Sequence, residues 1–219
     1  MNKLYNMNLI PMPYGYIKPI DKFEDFEKVI NVFKEPPFSE PLSLKDKLEE
    51  YNEYLKHGLA LGYYTFSGEI MGYAGIMQGV KKDHMPFFDS NIKKLNSFYI
   101  YGLATRKEYR GKYMVCSSLV QIINKIATNN QIDFIYLRIS ATGSKSEHLC
   151  IRLGYDNLYK NGNIPIQSCS FIRIDGKMQT DKRRFLIMPT SQKGHIFLFE
   201  TGTINHPYEK KVIYEKKDE

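Results

Sequence analysis

The 219-residue chain predicts a mixed α/β fold, a sheet with helices on both faces. Three observations carry this reading. Strand-like alternation and helical periodicity follow one another in the order β, α, α, β, β, β, α, β, α, β, β, with extra strands near the C-terminus. Two apolar strands, Leu59–Phe66 and Ile70–Val80, are separated only by Ser67-Gly68-Glu69, a hairpin turn. Residues 97–139 read strand, long helix, strand, a unit that closes parallel and right-handed.

Residues 1–13 carry two prolines and little pattern and read as an arm. Tyr14–Ile20 is the first strand, closed by Pro19 and the Asp21 cap. From 22 to 34, Phe23, Phe26, Val29, Ile30 and Phe33 recur at helical spacing, and Glu35-Pro36-Pro37 stops the helix. Ser43 caps a second helix over 44–57, with Asp46 in its first turn and Gly58 after its end. Residues 81–96 are polar and irregular apart from Met85-Pro86-Phe87-Phe88 and predict a loop. Ser97–Thr105 is a strand, 112–127 a helix with Met114, Leu119, Ile122, Ile123 and Ile126 facing inward, and Asp133–Ile139 a strand. A short helix over 145–153 closes at Gly154. Later strands are predicted at Tyr155–Lys160, Pro165–Ile174, Phe185–Met188 and Ile196–Thr201, and the Lys- and Glu-rich tail after Pro207 is expected to be mobile. No linker interrupts this order, so 1–219 is expected to be a single domain, with a core over about 14–174 and an extension over 175–219.

Composition narrows the function. The net charge is +7, with basic residues scattered as short pairs such as Lys81-Lys82, Arg106-Lys107, Arg183-Arg184 and Lys210-Lys211. No dense basic stripe with interleaved aromatics appears, which argues against nucleic acid; a modest excess suits a small anionic ligand. The three cysteines, Cys116, Cys150 and Cys169, form no Cys-x-x-Cys pair and signal neither a disulfide framework nor a metal site. No apolar run reaches membrane-span length and the start lacks a signal-peptide core, so a soluble cytoplasmic protein is expected.

Chemistry concentrates at residues 103–119, where a strand runs through a basic turn into a long helix. Such a turn aims a row of backbone N–H groups and a helix dipole at one point, a ready anion site. The segment Leu103-Ala104-Thr105-Arg106-Lys107-Glu108-Tyr109-Arg110-Gly111-Lys112, the helix after it, and Leu149-Cys150-Ile151-Arg152-Leu153-Gly154-Tyr155 lie in the order and spacing of one known family. Together they resemble the GNAT N-acetyltransferase superfamily: its strand end with an Arg/Gln-x-x-Gly-x-Gly/Ala loop starting at Arg110, and its Leu-Tyr-x-x-x-Gly-Phe segment.

The resemblance implies a mostly antiparallel central sheet with a splayed central strand pair. It implies acetyl-CoA, or another acyl-CoA, as co-substrate, no metal, and direct transfer of an acetyl or short acyl group to the amine of a small-molecule acceptor. By it, backbone groups of Leu103, Ala104 and Thr105 meet the pantetheine arm. Arg110, Gly111, Lys112, Tyr113, Met114, Val115 and Cys116 surround the pyrophosphate, and Arg106, Lys107 or Lys112 add charge. The family's base positions hold Tyr99 and Tyr101, which alternation puts on one face with Leu103 and Thr105. A phenol of pKa ~10 is a poor base at neutral pH but can order a proton-relaying water. The family's general-acid tyrosine is replaced by Cys150. Further ionisable candidates are Glu35, Glu40, Asp83, His84 and His148. The family's two loop glycine positions fall on Tyr113 and Val115, which changes the loop shape and the approach of a phosphate. Binding is expected to persist if Tyr113 points to solvent with ordinary helical angles, and to be weakened or lost otherwise. Two alternatives to an acetyltransferase of small amines stand beside it: a binding or regulatory module without catalysis, and an enzyme of longer or carrier-bound acyl chains. The strand predicted at Ile196–Thr201 in the extension is expected to complete the sheet, cover the cleft or pair with another copy in a homodimer.

Overall fold

The computed structural model of the chain describes residues 7–34, 42–88, 90–140, 145–155, 166–173, 175–196 and 210–213. They fall into two compact units: one from the chain up to Met77 with Ile100–Ile123, the other from Gln78–Tyr99 with the chain from Asn124 onward.

In the first unit the strands run in the order β1 (Ile10–Met12), β2 (Gly15–Pro19), β3 (Gly58–Tyr64), β4 (Ile70–Gln78) and β5 (Ser97–Thr105), the last entering this unit at Ile100. β1–β2, β2–β3 and β3–β4 pair antiparallel. The arm expected over 1–13 thus contains a strand: Ile10 pairs with Ile17 and Met12 with Gly15, which satisfies backbone that a free arm would leave to water. β3 is buried throughout and β4 from Ile70 to Ile76, as expected of strands covered on both faces. Alternation on β4 shows what covers them. Tyr73 meets Phe26 of α1 (Phe23–Ile30), while Gly72 one residue earlier faces Val115 of α3 (Val115–Asn129).

α1 buries Phe26, Val29 and Ile30 and then tightens into a 3-10 turn over Asn31–Lys34, so the helix predicted over 22–34 holds its α geometry only to Ile30. α2 (Leu44–His57) begins as predicted. The Asp46 N–H donates to Ser43 Oγ at 3.1 Å, and the Ser43 N–H donates to Asp46 Oδ2 at 2.9 Å. This reciprocal cap is worth about 1 kcal/mol.

In the second unit β6 (Phe134–Ser140) pairs antiparallel with β8 (Met178–Pro189), β8 antiparallel with β7 (Ile166–Ile172), and β7 parallel with β9 (Lys210–Ile213). β8 extends well before the predicted Phe185–Met188: Gln179–Arg183 is polar throughout and carries no apolar alternation, and its pairing with β7 holds it in the sheet. β9 lies within the tail expected to be mobile. Predicted loop 81–96 carries two 3-10 turns, Met85–Phe87 and Ser90–Lys94, and sends Phe87, Phe88 and Ile92 into the core. α4 (Lys145–Arg152) stands where predicted.

Ile196 ends a short helix, α5 (Gln192–Ile196), and not a strand. The Gly194 N–H donates to Ser191 Oγ at 3.0 Å, and Ser191 Oγ donates to Asp133 Oδ1 at 2.8 Å. The rest of the predicted strands Tyr155–Lys160 and Ile196–Thr201 lies outside the described residues, and Tyr155 itself is in no strand. Among the described residues no helix is long and apolar enough to cross a membrane.

Candidate active site

The turn after β5 is built from strained backbone and a set of anchors. Lys107–Tyr109 form a 3-10 turn, Gly111 follows at φ +72°, and the Lys112 N–H donates to the Tyr109 carbonyl at 3.1 Å. Tyr113 and Met114 are left-handed at φ +55° and +52°. Only glycine enters this region freely; each L side chain there costs about 1–2 kcal/mol. α3 therefore starts at Val115 and not at 112, and its first ladder bond is the Ser118 N–H to the Met114 carbonyl at 2.9 Å. As at any helix start, the amides of Val115, Cys116 and Ser117 have no carbonyl one turn earlier to bond. With the helix dipole they make a place for an anion. Lys107, Arg110, Gly111 and Lys112, in the turn just before them, are exposed.

Arg106 does not join that set of cations. Its guanidinium donates to Glu69 Oε1 at 2.8 Å and to the Ile70 carbonyl at 3.0 Å, and it pairs with Glu108 at 2.5 Å. Its own N–H donates to the Met71 carbonyl at 2.9 Å. Tyr109 Oη donates to the other Glu69 oxygen at 2.8 Å. These two donors, Tyr109 first and Arg106 next, hold the Glu69 carboxyl below the ordinary carboxylate range. Arg110 Nε donates to the Thr105 carbonyl at 3.1 Å, and Thr105 Oγ1 lies 3.0 Å from Cys116 Sγ. Burial pushes the Cys116 thiol up, against weaker opposing pulls from Thr105 and Arg110.

The two departures from the family's glycine pattern resolve differently. Tyr113 does not take ordinary helical angles; its backbone keeps the left-handed form that a glycine would supply, and its ring is 41% exposed. Val115 is 2% exposed, and its bulk fits because Gly72 lies opposite. A Cβ on Gly72 would come within 2.7 Å of Val115 Cγ1 and 2.6 Å of the Ala104 carbonyl oxygen. The volume added at Val115 is thus matched by volume missing from β4.

The tyrosines of β5 also part company. Tyr101 is 39% exposed and meets Tyr54 edge-on at 6.1 Å. Tyr54 Oη donates to Glu50 Oε1 at 3.0 Å, and burial above all, then that carboxylate, pushes its phenol well up. The Tyr54 ring occupies the space left by Gly75, and the Tyr73 hydroxyl the space left by Gly102. Leu103 and Thr105 are half-buried and Ala104 is buried. Tyr99 is 2% exposed, stacked on Tyr136 at 4.7 Å and edge-on to His84 at 4.8 Å. His84 is sealed in this same cluster, with Nδ1 3.2 Å from Tyr136 Oη and its ring against Phe185. It does not stand in an open loop. Cys150 is buried on α4, where the Tyr155 N–H bonds its carbonyl at 3.0 Å, and His148 is exposed. Glu35 and Glu40 lie outside the described residues.

Sequence reasoning passed over Glu69, Gly72, Glu50 and Tyr54. Gly72, a lone glycine within a strand pattern, signals close approach, and Glu50 with Tyr54 has the i,i+4 spacing of a helical pair.

The fold is that of the GNAT N-acetyltransferases. Chaetomium thermophilum Naa20, solved with a bisubstrate analogue, superposes at TM-score 0.59 with 16% identity, over 90% of this chain and 96% of that one. A putative phosphinothricin N-acetyltransferase gives 0.58 at 18% identity, over 80% and 98%. A chain of the NatC complex, solved with Gag peptide and CoA, gives 0.53 at 16% identity, over 84% and 99%. No family model matches the chain, and no curated protein matches it in sequence.

Proposed function

We propose that this protein is an acyl-CoA-dependent N-acetyltransferase that moves an acetyl or other short acyl group to the amine of a small molecule. The observation that carries the reading is the turn between Thr105 and Val115: left-handed backbone at Gly111, Tyr113 and Met114 leading into a long helix whose first amides are unclaimed, with the basic residues Lys107, Arg110 and Lys112 exposed in the turn itself. That arrangement fits a pyrophosphate. The amides from Arg110 to Cys116 would surround it, and the backbone of Leu103, Ala104 and Thr105 would pair with the pantetheine arm.

The chemistry is direct transfer. The acceptor nitrogen attacks the thioester carbonyl carbon, a backbone N–H near Leu103–Thr105 holds the oxyanion, the C–S bond breaks, and the amide forms. Tyr101, open to solvent, orders the water that takes the ammonium proton. Tyr99 supports β5 from the core. With Cys150 at 1% exposure, the departing CoA thiolate takes its proton from water. Titration calorimetry with acetyl-CoA tests the cofactor step: binding is expected, and no heat at millimolar acetyl-CoA overturns the reading. A panel of small amines and peptide amino termini, followed by release of CoA thiol, tests the acceptor. Binding without thiol release for any amine supports the binding-module alternative, which the burial of Cys150 favours.

A further inference from the structure

The loop binds an anion only if its backbone stays in the form that leaves its amides unclaimed, and here that form is held by residues that resist it. Tyr113 and Met114 are both left-handed, without the glycine that makes this conformation free. Something must favour it over the ordinary helical angles that would extend α3 backward. The Tyr113 ring supplies the contacts. It meets Tyr14 edge-on, centroids 5.2 Å apart at 63°, and Tyr109 at 6.1 Å and 57°. Both neighbours are fixed at their bases. Tyr14 stands at the hairpin between β1 and β2, where Met12 pairs with Gly15. Tyr109 is tied through its hydroxyl to Glu69, which also receives Arg106. Tyr113 is itself 41% exposed and Tyr14 49% exposed, so the three rings make a buttress on the surface of the loop and not part of the core.

We propose that Tyr14 and Tyr109 are positioning residues for the cofactor loop. They grip the Tyr113 ring and hold residues 113–114 in the left-handed form, doing through side chains what a glycine does through freedom. This rests on the reading that the loop takes the pyrophosphate of CoA. A ring pair removed from such a clamp lowers the fraction of loop in the binding form, and affinity falls with that fraction.

The experiment is a double-mutant cycle read by calorimetry with CoA, using the full chain. Tyr14→Ala should weaken CoA about three- to tenfold, the worth of one ring pair, while Tyr14→Phe should hold wild-type affinity. In a Tyr113→Gly background, where the ring that Tyr14 grips is gone, Tyr14→Ala should change affinity less than about twofold. Equal losses in both backgrounds, or none in either, overturn the proposal. A second readout does not need CoA. The NMR Cα and Cβ shifts of Tyr113 and Met114 should carry a left-handed signature in the wild type and move away from it in Tyr14→Ala; shifts that stay put overturn the clamp. A wild type with the left-handed signature that fails to bind CoA overturns the cofactor reading instead, so the two failures are distinct.

Discussion

Tyr99 and Tyr101 stand two residues apart on one strand and belong to two different kinds of region. Around Tyr99, the rings of His84, Phe87, Phe88, Phe134, Tyr136 and Phe185 are packed in mutual contact, and those of His84, Tyr99, Tyr136 and Phe185 are almost wholly removed from water. From Tyr101 onward exposure rises, with Tyr101, Lys107 and residues 110–114 open to solvent, Leu103 and Thr105 half-buried and Ala104 buried, and the backbone carries the specificity: extended to Thr105, tight at Lys107–Tyr109, left-handed at Gly111, Tyr113 and Met114. In the first region side chains hold the structure and the backbone follows. In the second the backbone must take a demanding path, and side chains are recruited to hold it there. Residue type does not distinguish the two, since both are rich in tyrosine. Burial does.

The sharpest way to break this comparison is to truncate the two tyrosines. Tyr99→Ala removes a ring from a packed cluster and should cost about 3–5 kcal/mol in urea denaturation. Tyr101→Ala, at 39% exposure, should cost about 1 kcal/mol or less. Similar losses at both positions would mean that the regions do not differ as described.

Next in size is the place where the loop's helix meets β4. Gly72→Ala should destabilise by about 1–3 kcal/mol, because the new methyl meets the Ala104 carbonyl at 2.6 Å and Val115 Cγ1 at 2.7 Å. In a Val115→Ala background the cost should fall, since one of the two clashes is gone, and should not vanish, since the carbonyl remains. Thermal unfolding of the four proteins reads the cycle. A Gly72→Ala cost that is unchanged when Val115 is shortened would break the size exchange between the two positions.

Much of this architecture could be read from the chain because local rules and tertiary structure agree. Ser43 and Asp46 announce a helix start at three-residue spacing, and the alternation of Ser97–Thr105 marks a strand with the bounds it has. The turn after β5 is legible as a strand, basic residues and a helix in series. Its shape is not, because Tyr113 and Met114 carry no left-handed signal; the conformation comes from contacts with Tyr14 and Tyr109, distant in sequence or invisible to propensity. The burial of Tyr99, His84 and Cys150 was hidden for a related reason. Each residue type serves equally well in a cleft or a core, and only the packing of β6 and β8 around the first two decides. The polar half of β8 hid because its pairing with β7 compensates for its weak apolar pattern.

Met114 offers a smaller test. It is left-handed and 67% exposed, so its side chain contributes little packing in return for its backbone strain. Met114→Asn places there a residue that tolerates this region and should stabilise the fold by about 0.5–1 kcal/mol in thermal unfolding. A destabilisation would mean that the Met114 side chain packs more than its exposure implies, and the contrast between strained backbone and idle side chain would fail at that position.

The smallest effect lies in the anchor beneath the loop. Glu69 accepts from Tyr109 and Arg106, and these bonds hold its carboxyl below the ordinary value of 4.5. A carboxyl lowered on folding adds stability that is complete above its unfolded pKa and is lost as pH falls through the folded one. The wild type should therefore be more stable than Glu69→Gln at neutral pH, with the gap narrowing as pH drops below the ordinary carboxylate range. The carboxylate is half exposed and screened, so the gap is small and shrinks further with salt. Melting temperatures of the two proteins at several pH values between 7 and 3 read it. A gap that stays constant across that range would mean that Glu69 holds the turn by neutral hydrogen bonding alone. The first link of the chain from Glu69 through Tyr109 to the Tyr113 ring would then owe nothing to charge.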